Sequence, residues 1–392
     1  MPANDPALAV EPAPPRARHA LRELVLVFLK IGITAFGGPP AHIAMMEEEC
    51  VARRGWLTRE RFVDFLGAVN LLPGPNSTEM AIYIGYLRAS WKGLVLGGIA
   101  FILPSALIVT GLAWTYVSYG HFPQMSAFLY AVKPVIIAVI ARALWRYGAT
   151  AIKTWFLGVI AVAATVVGLF IPHQLWLLAG AAVVCGGREL LRARTGEGAA
   201  AIVPATFTGS IAAAAAAPAS VTLASLFLYF LKIGSVLFGS GYVLIAFLRT
   251  DLVERWHWLT NSQLLDAVAV GQVTPGPLST TATFIGYVLA GPKGALVATL
   301  GMFIPAFVYV AISEPLVREL RRSPIAGAAL DGVIAGSVAL VAVVAIQLGR
   351  AAISDIRTAL IFLISLAILT WTRLNSAWLV LAAGILGSLI WR

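Results

Sequence analysis

Two Pro-Gly-Pro turns stand 202 residues apart, at Pro73-Gly74-Pro75 and Pro275-Gly276-Pro277, and each runs into a short polar stretch. The first continues as Asn76-Ser77-Thr78, the second as Leu278-Ser279-Thr280. Hydroxyl and amide side chains suit the cap and first turn of a helix. A helix start exposes unpaired N–H groups and the positive end of the peptide dipole, so it can hold an anion without a charged side chain. Two such starts facing each other would grip an oxyanion from both sides. The plain alternative is a pair of tight turns with no ligand. Duplication inside apolar sequence favours the site.

Other candidates flank these turns. Lys30 and Lys232 each lie in an apolar run, six residues ahead of Phe36 or Phe238. Matched cations inside a membrane would attract a dianion, or else snorkel to the interface. Gly37-Gly38 and Gly239-Ser240-Gly241 offer further backbone donors, or simply close packing. Four residues are candidates for proton coupling: His42, Asp64, Glu79 and Asp266. His42 stands opposite Leu244 and Glu79 opposite Thr281, whereas Asp64 and Asp266 match. Their structural readings are a packed histidine, a dipole-favoured carboxylate and aspartates paired with arginine. Cys50 and Cys185 stand far apart without metal-ligand spacing, so no cofactor or metal is expected.

The elements that must position these residues are written twice. Phe28-Leu29-Lys30-Ile31-Gly32 returns as Phe230-Leu231-Lys232-Ile233-Gly234, Phe36-Gly37 as Phe238-Gly239, and Trp56-Leu57-Thr58 as Trp258-Leu259-Thr260. Past Thr78/Thr280 the offset slips by one, so that Ile84-Gly85-Tyr86 pairs with Ile285-Gly286-Tyr287 and Pro104 with Pro305. Fixed-offset similarity means two structural units of one design. In a membrane protein it points to a transporter with its site between the repeats.

Composition places the chain in a membrane. Apolar residues make up 59% and charged ones 12%, too few to clothe a soluble core of this size, and the mean hydropathy is +0.87. Uncharged runs such as Gly93–Tyr119, Thr154–Leu178 and Gly294–Ser313 approach or exceed the ~20 residues of a membrane span. The net charge of +10 is no nucleic-acid footprint, because Lys and Arg cluster at the ends of apolar runs, as in Arg53-Arg54 and Arg321-Arg322.

Residues 1–20 read as a disordered tail, 21–190 as the first transmembrane repeat and 223–392 as the second. Residues 191–222 read as a linker, with an extra crossing as the open alternative. Gly37-Gly38-Pro39-Pro40 and Gly239-Ser240-Gly241 interrupt the first apolar run of each repeat. Each run is therefore expected to form helix, break, helix. Glu60–Leu72 and Ser77–Leu87, on either side of the first Pro-Gly-Pro, are too short to span and suggest a hairpin of half-helices. About four ordinary helices complete each repeat. Tyr119–Gln124 has no Lys or Arg, whereas its counterpart Glu314–Pro324 holds Arg318, Arg321 and Arg322. Equivalent loops then lie on opposite sides of the membrane. The expected fold is an all-α polytopic membrane protein. Its two homologous repeats have inverted topology, with broken or re-entrant helices at the membrane midplane.

Phe36-Gly37-Gly38-Pro39 with His42, then Trp56-Leu57, Pro73-Gly74-Pro75-Asn76 and Pro104, repeated more weakly in the second half, resembles the chromate ion transporter family in its long, two-domain form. The resemblance covers nearly the whole chain. It implies export of chromate across the bacterial inner membrane, with sulfate as a structural analogue and chromate resistance as the outcome. Repeat two departs from the pattern, since Ser240-Gly241-Tyr242 replaces Gly-Pro-Pro and no histidine follows. The halves are therefore not equivalent. The expected partners are a chromate-like or sulfate-like oxyanion and the lipid bilayer, not nucleic acid; a homodimer is compatible with this architecture. The runner-up is a membrane-embedded lipid pyrophosphate phosphatase, but no arginine falls within Pro73–Glu79 and the second copy has no acid. An anion channel, or a carrier of another oxyanion, is the third reading.

Overall fold

The computed structural model describes residues 17–36, 38–119, 123–170, 174–195, 220–238, 241–372 and 374–390. Helices dominate, as they must where lipid offers the backbone no hydrogen-bond partner. Repeat one comprises α1 (Ala17–Thr34), α2 (Pro39–Met46), α3 (Arg59–Val69), α4 (Asn76–Tyr119), α5 (Pro123–Ala151), α6 (Trp155–Phe170) and α7 (Gln174–Thr195). Repeat two comprises α8 (Leu223–Val236), α9 (Val243–Leu248), α10 (Asn261–Val273), α11 (Thr281–Arg322), α12 (Pro324–Ala352), α13 (Ile356–Trp371) and α14 (Ser376–Ile390). Both α2 and α9 continue as a wider π-helical turn, Glu47–Arg53 and Arg249–Arg255. Five of the described helices, α4, α5, α7, α11 and α12, contain stretches long and apolar enough to cross a membrane. Leu107, Val162 and Leu363 lie exposed, as lipid-facing side chains do. Trp145, Trp155, Trp176, Trp371 and Trp378 are also exposed, near helix ends, as interfacial tryptophans are.

Each repeat begins with a chain reversal. The α1 helix ends before Phe36, and Pro39-Pro40 starts α2. Two ion pairs show that the strands of this hairpin run antiparallel: Lys30 with Glu49 at 2.7 Å and Glu23 with Arg54 at 3.3 Å. In repeat two, Lys232 meets Asp251 at 3.4 Å, and the Tyr229 hydroxyl donates to the Phe247 carbonyl at 3.2 Å. A second reversal follows at Pro-Gly-Pro, where Phe65 stacks on Tyr83 at 4.5 Å and Asn76 donates to Asn70 at 2.6 Å.

A third reversal lies inside α4 and α11. Backbone angles leave the helical region at Ala89-Ser90 and at Ala290-Gly291. The short arm before each kink folds back on the long arm after it. Gly85 and Gly93 face each other so closely that a Cβ on either would strike the other's carbonyl, and Gly286 and Gly294 repeat the contact. Small residues let two helices approach to backbone distance. The Thr283 and Thr299 hydroxyls share a hydrogen bond of 2.7 Å along the same seam. The segment 314–322, read above as a loop, forms the last turns of α11. Four ordinary helices, or long arms, follow in each repeat, as expected.

The two repeats then pack against each other. Lys153, just past α5, pairs with Asp331 near the start of α12 at 3.2 Å. Tyr130, near the start of α5, donates to Asp355 just past α12 at 2.5 Å. These helices therefore lie antiparallel. Asp355 also caps α13 through the amides of Arg357 and Thr358. The Tyr130 hydroxyl first, then those amides, hold its carboxyl down at about 2. Phe307 of α11 packs over Gly98 of α4, beside Ile82, Leu94, Ala306 and Val310. A larger apolar core joins Ile136 and Ile140 of α5 to Phe230, Phe247, Phe284 and Met302 of repeat two.

Candidate substrate site

The Pro-Gly-Pro turns sit where the repeats interlock. The Gly74 amide donates to the Leu237 carbonyl at 2.6 Å, and the Gly276 amide donates to the Ala35 carbonyl at 3.1 Å. Both donors and both acceptors are related by the 202-residue offset. Each turn thus hydrogen-bonds the last residues before the other repeat's break. Both turns are buried. Gly276 has φ +88, a conformation natural to glycine alone, and a Cβ there would come within 2.7 Å of Ser105 Cβ. The Ser105 hydroxyl in turn shares a hydrogen bond of 3.0 Å with Thr280.

Behind each turn a helix starts. After Pro75, the first amides to find helical acceptors are Thr78 and Glu79, both bonded to the Pro75 carbonyl. The amides of Asn76 and Ser77 precede the first such bond, as at any helix start. In repeat two Thr280 is the first, bonded to Pro277, and Leu278 and Ser279 precede it. The expected side-chain caps do not form. Asn76 turns to Asn70, and Leu278–Thr280 makes a single 3₁₀ turn without a side-chain cap. The surroundings are buried yet polar: Ser77, Thr78, Glu79, Ser105, Ser279, Thr280, Thr281 and His42 are all at most 2% exposed. Among the described residues, Thr78 Oγ1, both Glu79 carboxyl oxygens and His42 Nδ1 have no hydrogen-bond partner.

The other sequence candidates fall in different places. His42 closes the first break, with Nε2 3.2 Å from the Ala35 carbonyl and its ring edge-on to Phe101. It therefore shares Ala35 with the Gly276 amide. Lys30 and Lys232 are each engaged by a carboxylate, Glu49 and Asp251, residues themselves 202 apart. Arg54 also grips Glu49. Asp64 is exposed on α3. Asp266 is buried and held by repeat one, through the Tyr116 hydroxyl at 3.0 Å and Lys133 at 3.7 Å. Gly38 and Gly241 flank the breaks; Gly37, Gly239 and Ser240 lie outside the described residues.

Sequence reasoning missed Glu49, Asp251, Lys133 and Tyr116. Glu49 and Asp251 carried a signal, being acidic residues at the same offset, 19 positions after each lysine. Lys133 carried a weaker one, a lone cation in an apolar run with Ile334 at the matching place in the second repeat. Among the described residues no group of His, Cys, Asp and Glu gathers that could hold a metal. A cavity of about 570 Å³ lies elsewhere, lined by Gln174, Thr250, Glu254, His257, Asn261 and Gln347, with no residue of either turn.

The family model for chromate transporters matches the chain twice, at residues 22–186 and 224–388. The chain belongs to the chromate transporter family. It is 33% identical to a chromate transport protein of Cupriavidus metallidurans, over 94% of this chain and 93% of that one. It is 32% identical to a probable chromate transport protein of Synechococcus elongatus, over 99% of both. A chromate transport protein of Pseudomonas aeruginosa is 33% identical over 94% of this chain and 92% of its own. No solved structure matches. This chromate transporter family member is thus an all-α, multi-pass membrane protein built from two repeats.

Proposed function

We propose that the protein is a secondary transporter that exports chromate across the bacterial inner membrane. On this reading the dianion binds between the two Pro-Gly-Pro turns. The observation that carries it is the reciprocal interlock, Gly74 to Leu237 and Gly276 to Ala35. It ties each turn to the other repeat's break, and behind each turn lies a helix start with amides ahead of its first helical bond, which supports a shared anion site. Helix N-termini that face a midplane site are how membrane carriers hold anionic groups. The cavity near His257 is a weaker choice, because Glu254 lines it and the nearby Arg249 is already bonded to that carboxylate. In this conformation the turns are covered, so the reading requires an opening motion between the repeats.

Inverted topology belongs to the same proposal. Helices α5 and α12 are counterparts in the repeats, and they pack antiparallel through the pairs Lys153–Asp331 and Tyr130–Asp355. Counterparts related by a twofold and packed antiparallel require an axis perpendicular to the helices, which turns one repeat over. The breaks between α1 and α2 and between α8 and α9 are then re-entrant at the midplane. Lys30 and Lys232 pin these hairpins, and they reach an anion only if their carboxylates let go.

Uptake of labelled chromate into inverted membrane vesicles tests the site. Ser77→Leu with Ser279→Leu should abolish uptake at normal protein level, because leucine fills the space before the free amides. Normal uptake by that double variant removes the anion from these turns.

A further inference from the structure

We propose that the Glu79 carboxyl occupies the repeat-one half of the anion site and that the oxyanion must displace it. This rests on the site reading given above. Glu79 is the fourth residue after Pro75, in the first turn of the short arm of α4. Its side chain folds back onto the Pro-Gly-Pro turn, so that a Cβ on Gly74 would fall on its carboxyl. The residue is fully buried, and among the described residues neither carboxyl oxygen has a hydrogen-bond partner. Leaving a buried polar group unpaired is costly, and a use for the group accounts for its retention. A carboxyl at a helix start stands where the dipole favours negative charge, which is where the substrate anion would stand.

Repeat two lacks this feature. Thr281 takes the place of Glu79, and its hydroxyl is satisfied by the Leu278 carbonyl at 2.8 Å. The second turn is therefore free of an internal acid, and the first is not. The two halves of the site differ in role: the second turn receives the oxyanion, and the first exchanges its own carboxyl for it. The carboxyl and the oxyanion cannot fill the same space, so loading drives Glu79 off Gly74. That movement lies at the seam between the repeats, where an opening motion has to begin.

The test measures potassium chromate binding to the purified full-length protein in detergent, by calorimetry. Glu79→Thr, which copies repeat two, should bind chromate severalfold to about tenfold more tightly than the wild type, because no internal group competes. Glu79→Gln, which keeps the shape but not the acid, should fall between them and covers the case of a misfolded threonine variant. In the wild type, chromate should also raise labelling of Glu79 by the apolar reagent dicyclohexylcarbodiimide, read by mass spectrometry. Equal affinity in all three proteins, or labelling that chromate leaves unchanged, overturns the proposal. A residue that only supports the fold would change stability and leave affinity alone. A wild type that binds no chromate overturns the site reading itself, a different failure.

Discussion

Gly276→Ala should damage the protein through two separable effects. At φ +88 an L-residue is strained by about 1–2 kcal/mol. Its Cβ would also lie 2.7 Å from Ser105 Cβ on the other repeat, and overpacking of this kind costs about 1–3 kcal/mol. The expected destabilisation is the sum, about 2–5 kcal/mol. Ser105→Gly removes the atom that the new methyl meets. It loses the hydrogen bond to Thr280 and weakens α4, yet in the double variant it should relieve the steric part. A double-mutant cycle, read by equilibrium denaturation in detergent micelles, should give a coupling of about 1–3 kcal/mol. Gly74→Ala makes a contrast. Its Cβ falls on the Glu79 side chain, which can swing aside, so its steric part should be smaller. Additive effects of Gly276→Ala and Ser105→Gly would show that the second turn does not rest on repeat one.

Lys232→Gln should destabilise more than Lys30→Gln. Lys232 is 21% exposed and Lys30 52%, and Glu49 keeps Arg53 and Arg54 when Lys30 is lost. The expected losses are about 1–3 kcal/mol and under about 1 kcal/mol, read by the same denaturation; equal losses would deny the hairpin clamp. Asp355, with its carboxyl at about 2, is lower in the folded state than in the unfolded chain, so its contribution is full at neutral pH and fades as pH falls toward that value. Asp355→Asn should therefore flatten the fall in melting temperature between neutral and acid pH, and an unchanged slope would contradict the cap. Single cysteines at Tyr119 and Ser323 should be labelled by a membrane-impermeant thiol reagent from opposite sides, against a low background because Cys50 and Cys185 are buried. Labelling from one side rules out the inverted repeat.

Much of this architecture is written in the sequence, because the repeat makes each weak signal count twice. Glycine and proline mark the breaks at Gly38-Pro39 and Pro73-Gly74-Pro75, since both remove helix bonding or helix order. The fold-back inside α4 is harder to see. Its kink falls at Ala89-Ser90, neither of them a helix breaker, so the glycines at 85, 93 and 97 and the Gly291-Pro292 pair at the matching kink of the second copy are the hints that two arms touch. The lysines looked like free cations because their partners lie 19 residues on, across a chain reversal that spacing alone does not measure. Asp266 seemed a match for Asp64, yet packing divides them. One is gripped by Tyr116 and Lys133 of the other repeat, the other is exposed. Contacts between repeats depend on how two folded units dock, and no local pattern encodes that. The exchange of hydrogen bonds between Gly74, Leu237, Gly276 and Ala35 is of this kind.

If chromate is held at the Pro-Gly-Pro turns, chromium itself can report it. Anomalous scattering at the chromium edge, from crystals of the chromate-loaded protein, locates the ion without reference to any side chain. The prediction is a single peak that puts the chromate oxygens within hydrogen-bond reach of the Leu278 and Ser279 amides, with the Glu79 carboxyl moved off Gly74. A peak in the cavity beside Gln174, Thr250 and His257, with the turns still closed, would contradict it.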